Sequence, residues 1–166
     1  MTQALHTRSI DFAVISGDIP EIGLQRRAMW TERVMIMVHE GHTLAQKERI
    51  YWPDLRGERF ILPRQDPGSD LAGMVTARLI EPGWKPDVET QEVSRENVAN
   101  LVPIGRYVTL TTDTTLGRIL PGIVLRDIHE MSGHICHIAY AGYWRSDNSS
   151  PALSRLLKLV GERYPP

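Results

Sequence analysis

An α/β fold is the expectation from this sequence, and three observations carry it. Apolar runs of strand length recur along the 166 residues: DFAVI at 11–15, VMIMV at 34–38 and RFILP at 59–63. Two segments, 69–80 and 150–160, instead return their apolar residues at helical spacing. Strands also alternate with helices through the centre of the chain. That order argues for α/β units around mostly parallel sheets.

The elements follow in order. Thr2 to Thr7 reads as the end of a helix, and Ile10 to Ile15 as a strand covered on both faces, because it is mostly apolar. Ser16-Gly17-Asp18 with Pro20 breaks the chain into a loop. LQRRAMW, 24–30, is a polar-edged strand and VMIMV a second, strongly apolar one. EGHTLAQKE is a loop with one helical turn. Asp54 to Gly57 is a turn, and RFILP is a strand ended by its proline. Leu71, Met74, Val75, Leu79 and Ile80 then fall near i, i+3, i+4 and i+8. Ser69 is the N-cap of that helix, Asp70 lies in its first turn, and Pro82-Gly83 ends it. Val88 to Val93 is a strand. Ser94 caps the next helix, with Glu96 near its positive end and Val98, Leu101 and Val102 on one face. YVTLTT, 107–112, is β-branched and reads as a strand. GIVLRDI, 122–128, and GHICHIAYAGYW, 133–144, are two more. The last helix has Ser150 as cap and Pro151 at its first position, where a missing N–H costs nothing. Leu153, Leu156, Leu157 and Val160 are its expected buried stripe.

An apolar fraction of 42% and a charged fraction of 23% are those of a globular protein. The length suits one ordinary domain or two small lobes sharing a sheet. A net charge of −1 offers no phosphate-neutralising surface, so this chain itself is not expected to bind DNA. The single cysteine, Cys136, excludes an intrachain disulfide and fits a reducing compartment. No apolar run reaches membrane-spanning length, and no basic-then-apolar leader opens the sequence. The expected location is the cytoplasm, with no membrane partner.

Two histidine patterns invite a metal reading, His39-Glu40-Gly41-His42 and His134-Ile135-Cys136-His137. Zinc needs three or four ligands converging on one point. Gly41 and Thr43 place the first pattern in a loop. In the second, strand alternation puts His134 and Cys136 on one face and His137 on the other. Hydrogen-bonded or surface histidines are the expected reading, and no metal. There is no Gly-x-Ser-x-Gly elbow and no Walker phosphate loop. Asp66 and Asp70 stand near a helix start, where carboxylates cap more often than they catalyse. No enzyme activity and no cofactor are expected.

LPRQDPGSD, 62–70, joins a strand end to a helix start, the place where open α/β sheets bind ligands. EVSREN, 92–97, repeats that layout. Arg64, Arg95 and Arg106 can add charge-assisted hydrogen bonds. Singly, Ser69 and Ser94 read as caps and the arginines as solvated. Together, the repeated layout points to a cleft for a small molecule.

The segments RSIDFAVISG, ERVMIMVHEGHTLA, DLRGERFILPR, SRENVANLVPIGRYVTLT, LPGIVLRDI, the strand to Tyr143-Trp144, and SPALSRLL stand in a familiar order. From about Thr2 to Leu159 the chain resembles the effector-binding, or substrate-binding, domain of LysR-type transcriptional regulators. The resemblance implies a two-lobed fold like the type 2 periplasmic binding proteins. Lobe one is expected at 1–33 and 117–166, and lobe two at 34–116, with two crossings between them. It implies a small-molecule effector between the lobes, control of transcription, and a homo-oligomer. Family members carry a winged helix-turn-helix, a linker helix and the first strand–helix–strand of lobe one ahead of the position of Thr2. Lobe one is therefore expected to be incomplete here, with DNA contacted through the helix-turn-helix domain. The expected effector is a small organic anion. Arg64, Arg95 and Arg106 supply charge, Ser69 with its neighbouring N–H groups supplies donors, and Ile15 and Ser16 form the facing wall; Asp66, Gly105 and Thr109 complete the set. The family's Gly-x-Gly turn keeps Gly105 but has Tyr107 at its second position. The alternative expectation is a stand-alone interaction module that pairs with a full-length regulator without binding effector.

Overall fold

A computed structural model describes residues 2–17, 19, 22–65, 67–114 and 120–165. The chain forms two compact units, Met1–Thr31 with Ile138–Pro166, and Glu32–His137.

The first unit holds α1 (Thr2–His6), β1 (Ala13–Ser16), the start of β2 (Leu24–His39), most of β8 (His137–Arg145) and α4 (Pro151–Arg163). β1 and β8 pair antiparallel, with Ala13 opposite Tyr143 and Ser16 opposite Tyr140. Leu5, Ala13, Ile15, Ala141 and Tyr143 form the core. The Tyr143 hydroxyl accepts from the Ile19 N–H and from Arg26 Nε, each at 3.2 Å. A Cβ on Gly142 would stand 2.4 Å from the tip of the Phe12 ring, so a larger residue there requires that ring to move. Ser150 caps α4 and Pro151 opens it, as the sequence implies. The buried stripe is narrower than expected. Leu153 and Val160 are covered, whereas Leu156 is 39% exposed.

The second unit begins with the rest of β2 and then β3 (Ile50–Tyr51), β4 (Arg59–Pro63) and α2 (Gly68–Leu79). It continues through β5 (Asp87–Gln91), α3 (Arg95–Ala99), β6 (Thr109–Thr112) and β7 (Ile123–His129), with short 3₁₀ turns at Thr43–Gln46, Trp52–Leu55 and Val102–Ile104. β4 and β5 pair in parallel, and a parallel bridge between Phe60 and Val108 joins β4 to the start of β6. β6 and β7 flank β2, both antiparallel, and β3 pairs with β7 in parallel. Burial is complete along Val34–Val38 and along β6.

Several expectations are corrected. The sheets are mixed rather than mostly parallel. Parallel pairing is found where helices intervene, from β4 through α2, β5 and α3 to β6. The described ladders of β1 with β8, of β2 with β6 and of β2 with β7 are antiparallel. The two strands read at 24–30 and 34–38 are one, since Thr31-Glu32-Arg33 holds no turn-forming residue to break them. Pro67, not Ser69, is the N-cap of α2, and Gly68 is its first residue. The strand read from 133 starts at His137, because Gly133 at φ 86° closes a turn on Glu130. Apart from these corrections, the compact units divide at 31/32 and 137/138, and β7 falls in the second unit with its partners β3 and the end of β2. Residues 116 and 117 lie outside the described residues, as do Asp18 and Pro20 of the expected loop.

Asp54 fixes the turn after β3. It accepts from the Tyr51 N–H at 2.8 Å and from Lys47 Nζ at 2.7 Å. Burial pushes its carboxyl up, but the Lys47 and Tyr51 hydrogen bonds outweigh that and hold it below the ordinary aspartate value. The stability it contributes is present above the ordinary aspartate range and lost as pH falls through the lowered value. Urea unfolding at pH about 6 and about 3 should show a smaller acid loss in Asp54→Asn than in the parent. Equal losses in the two chains would remove Asp54 from the acid limb.

Candidate functional site

The second unit contains a cavity of about 570 Å³. Its position follows from local chemistry. Ser94 accepts from the Asn97 N–H at 3.3 Å and starts α3, and Gly105 at φ 76° closes the 3₁₀ turn behind it. The chain is thereby brought back into β6, whose Thr109 lies opposite Met37 of β2. Met37, Pro63 at the end of β4, Val98, Ala99, Leu110 and Leu120 give the cavity its apolar lining. Met37 and Ala99 belong to a buried cluster with Val102 and Ile123, against which Leu120 packs.

Polar groups are few. Thr109, Thr111 and Thr114 line the cavity with Arg95, Glu96 and Asn100. Thr109 and Thr111 are buried. Arg95 is half-buried and, among the described residues, has no hydrogen-bond or ion-pair partner. Thr114 Oγ1 stands 2.9 Å from Thr112 Oγ1 and 3.4 Å from Glu32 Oε2. Glu32 is only 8% exposed. The neighbouring Arg33 donates from Nε to Asp113 at 3.1 Å and from a terminal nitrogen to both Asp127 oxygens. Asp113 and Asp127 raise its guanidinium further above the ordinary arginine value. The end of β6 is therefore tied to β2 and β7 by charged contacts.

Of the residues singled out in the sequence, Arg95 and Thr109 come together on this cavity. Arg64 is exposed and pairs with Glu92 at 2.6 Å. Ser69 is exposed in the first turn of α2, and Arg106 is exposed beyond Gly105. Ile15 and Ser16 are buried in β1 of the first unit, opposite Ala141 and Tyr140. Asp66 lies outside the described residues. Sequence reasoning missed Met37, Pro63, Thr111, Thr114 and Leu120. Alternation along YVTLTT is the signal that pairs Thr111 with Thr109; Thr114 follows just beyond that strand, and Met37, Pro63 and Leu120 come from other segments.

The histidines are engaged locally. His39 Nδ1 accepts from the Gly41 N–H, and His42 Nδ1 from the Leu44 N–H while its Nε2 faces Glu58 at 3.2 Å. His134 meets Ser132, and His137 meets the Ile135 carbonyl. Burial, followed by contact with Glu130, pushes the Cys136 thiol up to about 12. Among the described residues no three His, Cys, Asp or Glu converge. No described helix is long and apolar enough to cross a membrane.

The family model of the LysR substrate binding domain matches residues 1–165. The chain belongs to that family. Within this LysR family, it is 26% identical over 128 residues to the transcriptional dual regulator GltC of Bacillus subtilis strain 168. That match covers 76% of this chain and 42% of GltC, so the chain spans about two fifths of the curated relative. A full-length OxyR variant from Pseudomonas aeruginosa superimposes with a TM-score of 0.77 at 20% identity, over 98% of this chain and 55% of that one. The BenM effector binding domain with its effector benzoate gives 0.73 at 21% identity, over 98% and 73%. The fold is thus the periplasmic-binding-protein-like α/β fold of LysR effector-binding domains, a family of transcriptional regulators.

Proposed function

We propose that this chain is the effector-sensing part of a LysR-type transcriptional regulator, and that its effector is a small organic anion held in the cavity beside α3. The observation that carries the reading is Arg95, a half-buried cation without a partner among the described residues, at an apolar cavity. A carboxylate there gains a charge-assisted hydrogen bond, Thr109 and Thr111 add hydroxyls, and an apolar body covers Met37 and Leu120. The benzoate bound by the related BenM domain supports a ligand of this chemistry. The role is recognition, not catalysis. With a net charge of −1 the chain does not itself grip promoter DNA. DNA contact through a helix-turn-helix, a homo-oligomer and a cytoplasmic location complete the reading.

Calorimetric titration with a panel of small carboxylates tests it. A hydrogen bond to a charged group contributes about 1.5–3 kcal/mol, so Arg95→Ala should weaken binding roughly tenfold to a hundredfold. Ser69→Ala and Arg106→Ala, which lie off the cavity, should bind like the parent. Unchanged affinity in Arg95→Ala removes the anion from this cavity.

A further inference from the structure

We propose that the effector carries a hydrogen-bond donor as well as its anionic group, as a hydroxy- or amino-substituted carboxylate does, and that Glu32 imposes this requirement through Thr114. The inference rests on the cavity reading above and adds a ligand class and a positioning residue to it.

A threonine hydroxyl has one proton and two lone pairs, whereas a carboxylate only accepts. Thr114 Oγ1 lies within reach of both Glu32 Oε2, at 3.4 Å, and Thr112 Oγ1, at 2.9 Å. Glu32 is buried and takes the Thr114 proton. Thr112 must then donate to Thr114. One lone pair is left on the Thr114 oxygen, and Thr114 lines the cavity. At that point, among the described residues, the cavity is offered an acceptor. Arg95, by contrast, offers only donors. A ligand matching both needs an anionic group for Arg95 and an O–H or N–H for Thr114. A ligand O–H or N–H that meets this lone pair gains one neutral hydrogen bond that a donor-free analogue does not make.

Benzoate, its 2-, 3- and 4-hydroxy derivatives and the matching methoxy derivatives are suitable probes. The rigid ring scans the distance from carboxylate to donor, and methoxy fills the space of the hydroxyl with no proton to give. In the parent chain one hydroxy isomer should bind about three- to tenfold more tightly than its methoxy partner, the worth of one neutral hydrogen bond. Thr114→Val should abolish that preference while benzoate still binds. In Glu32→Gln the amide can donate to Thr114, freeing the threonine proton, and the methoxy partner should gain relative to the hydroxy one. Thr114→Val keeps the test decisive where Glu32→Gln does not fold. Hydroxy and methoxy partners binding alike in the parent, or a preference surviving Thr114→Val, would overturn the inference. The cavity reading fails separately, when benzoate binds Arg95→Ala as tightly as the parent. Binding by no member of the series defeats both.

Discussion

Gly68→Ala should cost about 3 kcal/mol of folding stability or more, at the upper end of what single substitutions do. A Cβ at position 68 would lie 1.9 Å from the Pro63 carbonyl oxygen and 2.8 Å from its carbonyl carbon. Those are backbone atoms at the end of β4, held by the parallel ladder that sets Pro63 opposite Gln91. Relief requires moving the start of α2 away from β4. That helix carries Leu71, Val75 and Leu79, none more than 2% exposed. Each buried aliphatic side chain contributes about 1.5–3 kcal/mol, so even partial undocking is expensive. Pro63 also lines the cavity, so affinity for the best carboxylate should fall together with stability. Gly73→Ala on the same helix is the control. A Cβ at 73 meets nothing within 4 Å, and alanine should stabilise the helix by up to about 1 kcal/mol. Urea unfolding of both variants decides the matter. A Gly68→Ala chain within about 0.5 kcal/mol of the parent would mean that the segment from Pro63 to Gly68 relaxes at little cost.

Gly68 also shows where sequence reading stops. Ser94 and Ser150 were legible as caps because capping is local, a side-chain oxygen reaching an N–H three residues on. Ser69 looks the same in sequence, yet the helix starts earlier, at Gly68, where the chain passes close to Pro63. That contact has no local signature. RFILP was legible as a strand of the observed bounds, since its residues are apolar and a proline ends it. The direction of pairing was not, because the helix–strand alternation of the central segment does not extend to β1, β2, β7 and β8. The site divides in the same way. Arg95 and Thr109 lie in one stretch of sequence, on either side of the turn at Gly105, and were found together. Met37 reaches the cavity only through the β2–β6 register, which sets it opposite Thr109 and sets Val34 opposite Thr112. Glu32 meets Thr114 through the same pairing. Register between segments some 75 residues apart is a property of the folded sheet, and short-range periodicity does not carry it.

In the first unit the largest loss is expected from Tyr143→Ala. The side chain is 1% exposed and packs with Leu5, Ala13, Ile15 and Ala141, a small cluster in which one ring is a large part of the buried surface. Removing a buried aromatic ring costs about 3–5 kcal/mol, a substantial share of the 5–15 kcal/mol that holds a typical domain. The substitution also takes away the acceptor for the Ile19 N–H and for Arg26 Nε. Tyr143→Phe separates the two contributions. It keeps the ring and loses only the hydroxyl, for about 1 kcal/mol, because Arg26 is exposed enough for water to replace that bond. The expected order is therefore parent, then Phe slightly below it, then Ala far below. Hydrogen exchange in β1 and β8 reads the effect where it arises, since Ala13 and Tyr143 face each other across that ladder. Protection there should drop strongly in the alanine variant and only slightly in the phenylalanine one. Equal losses in both would place the stabilisation in the hydroxyl and its two donors, and the ring would then be filling space without tightening the cluster around it.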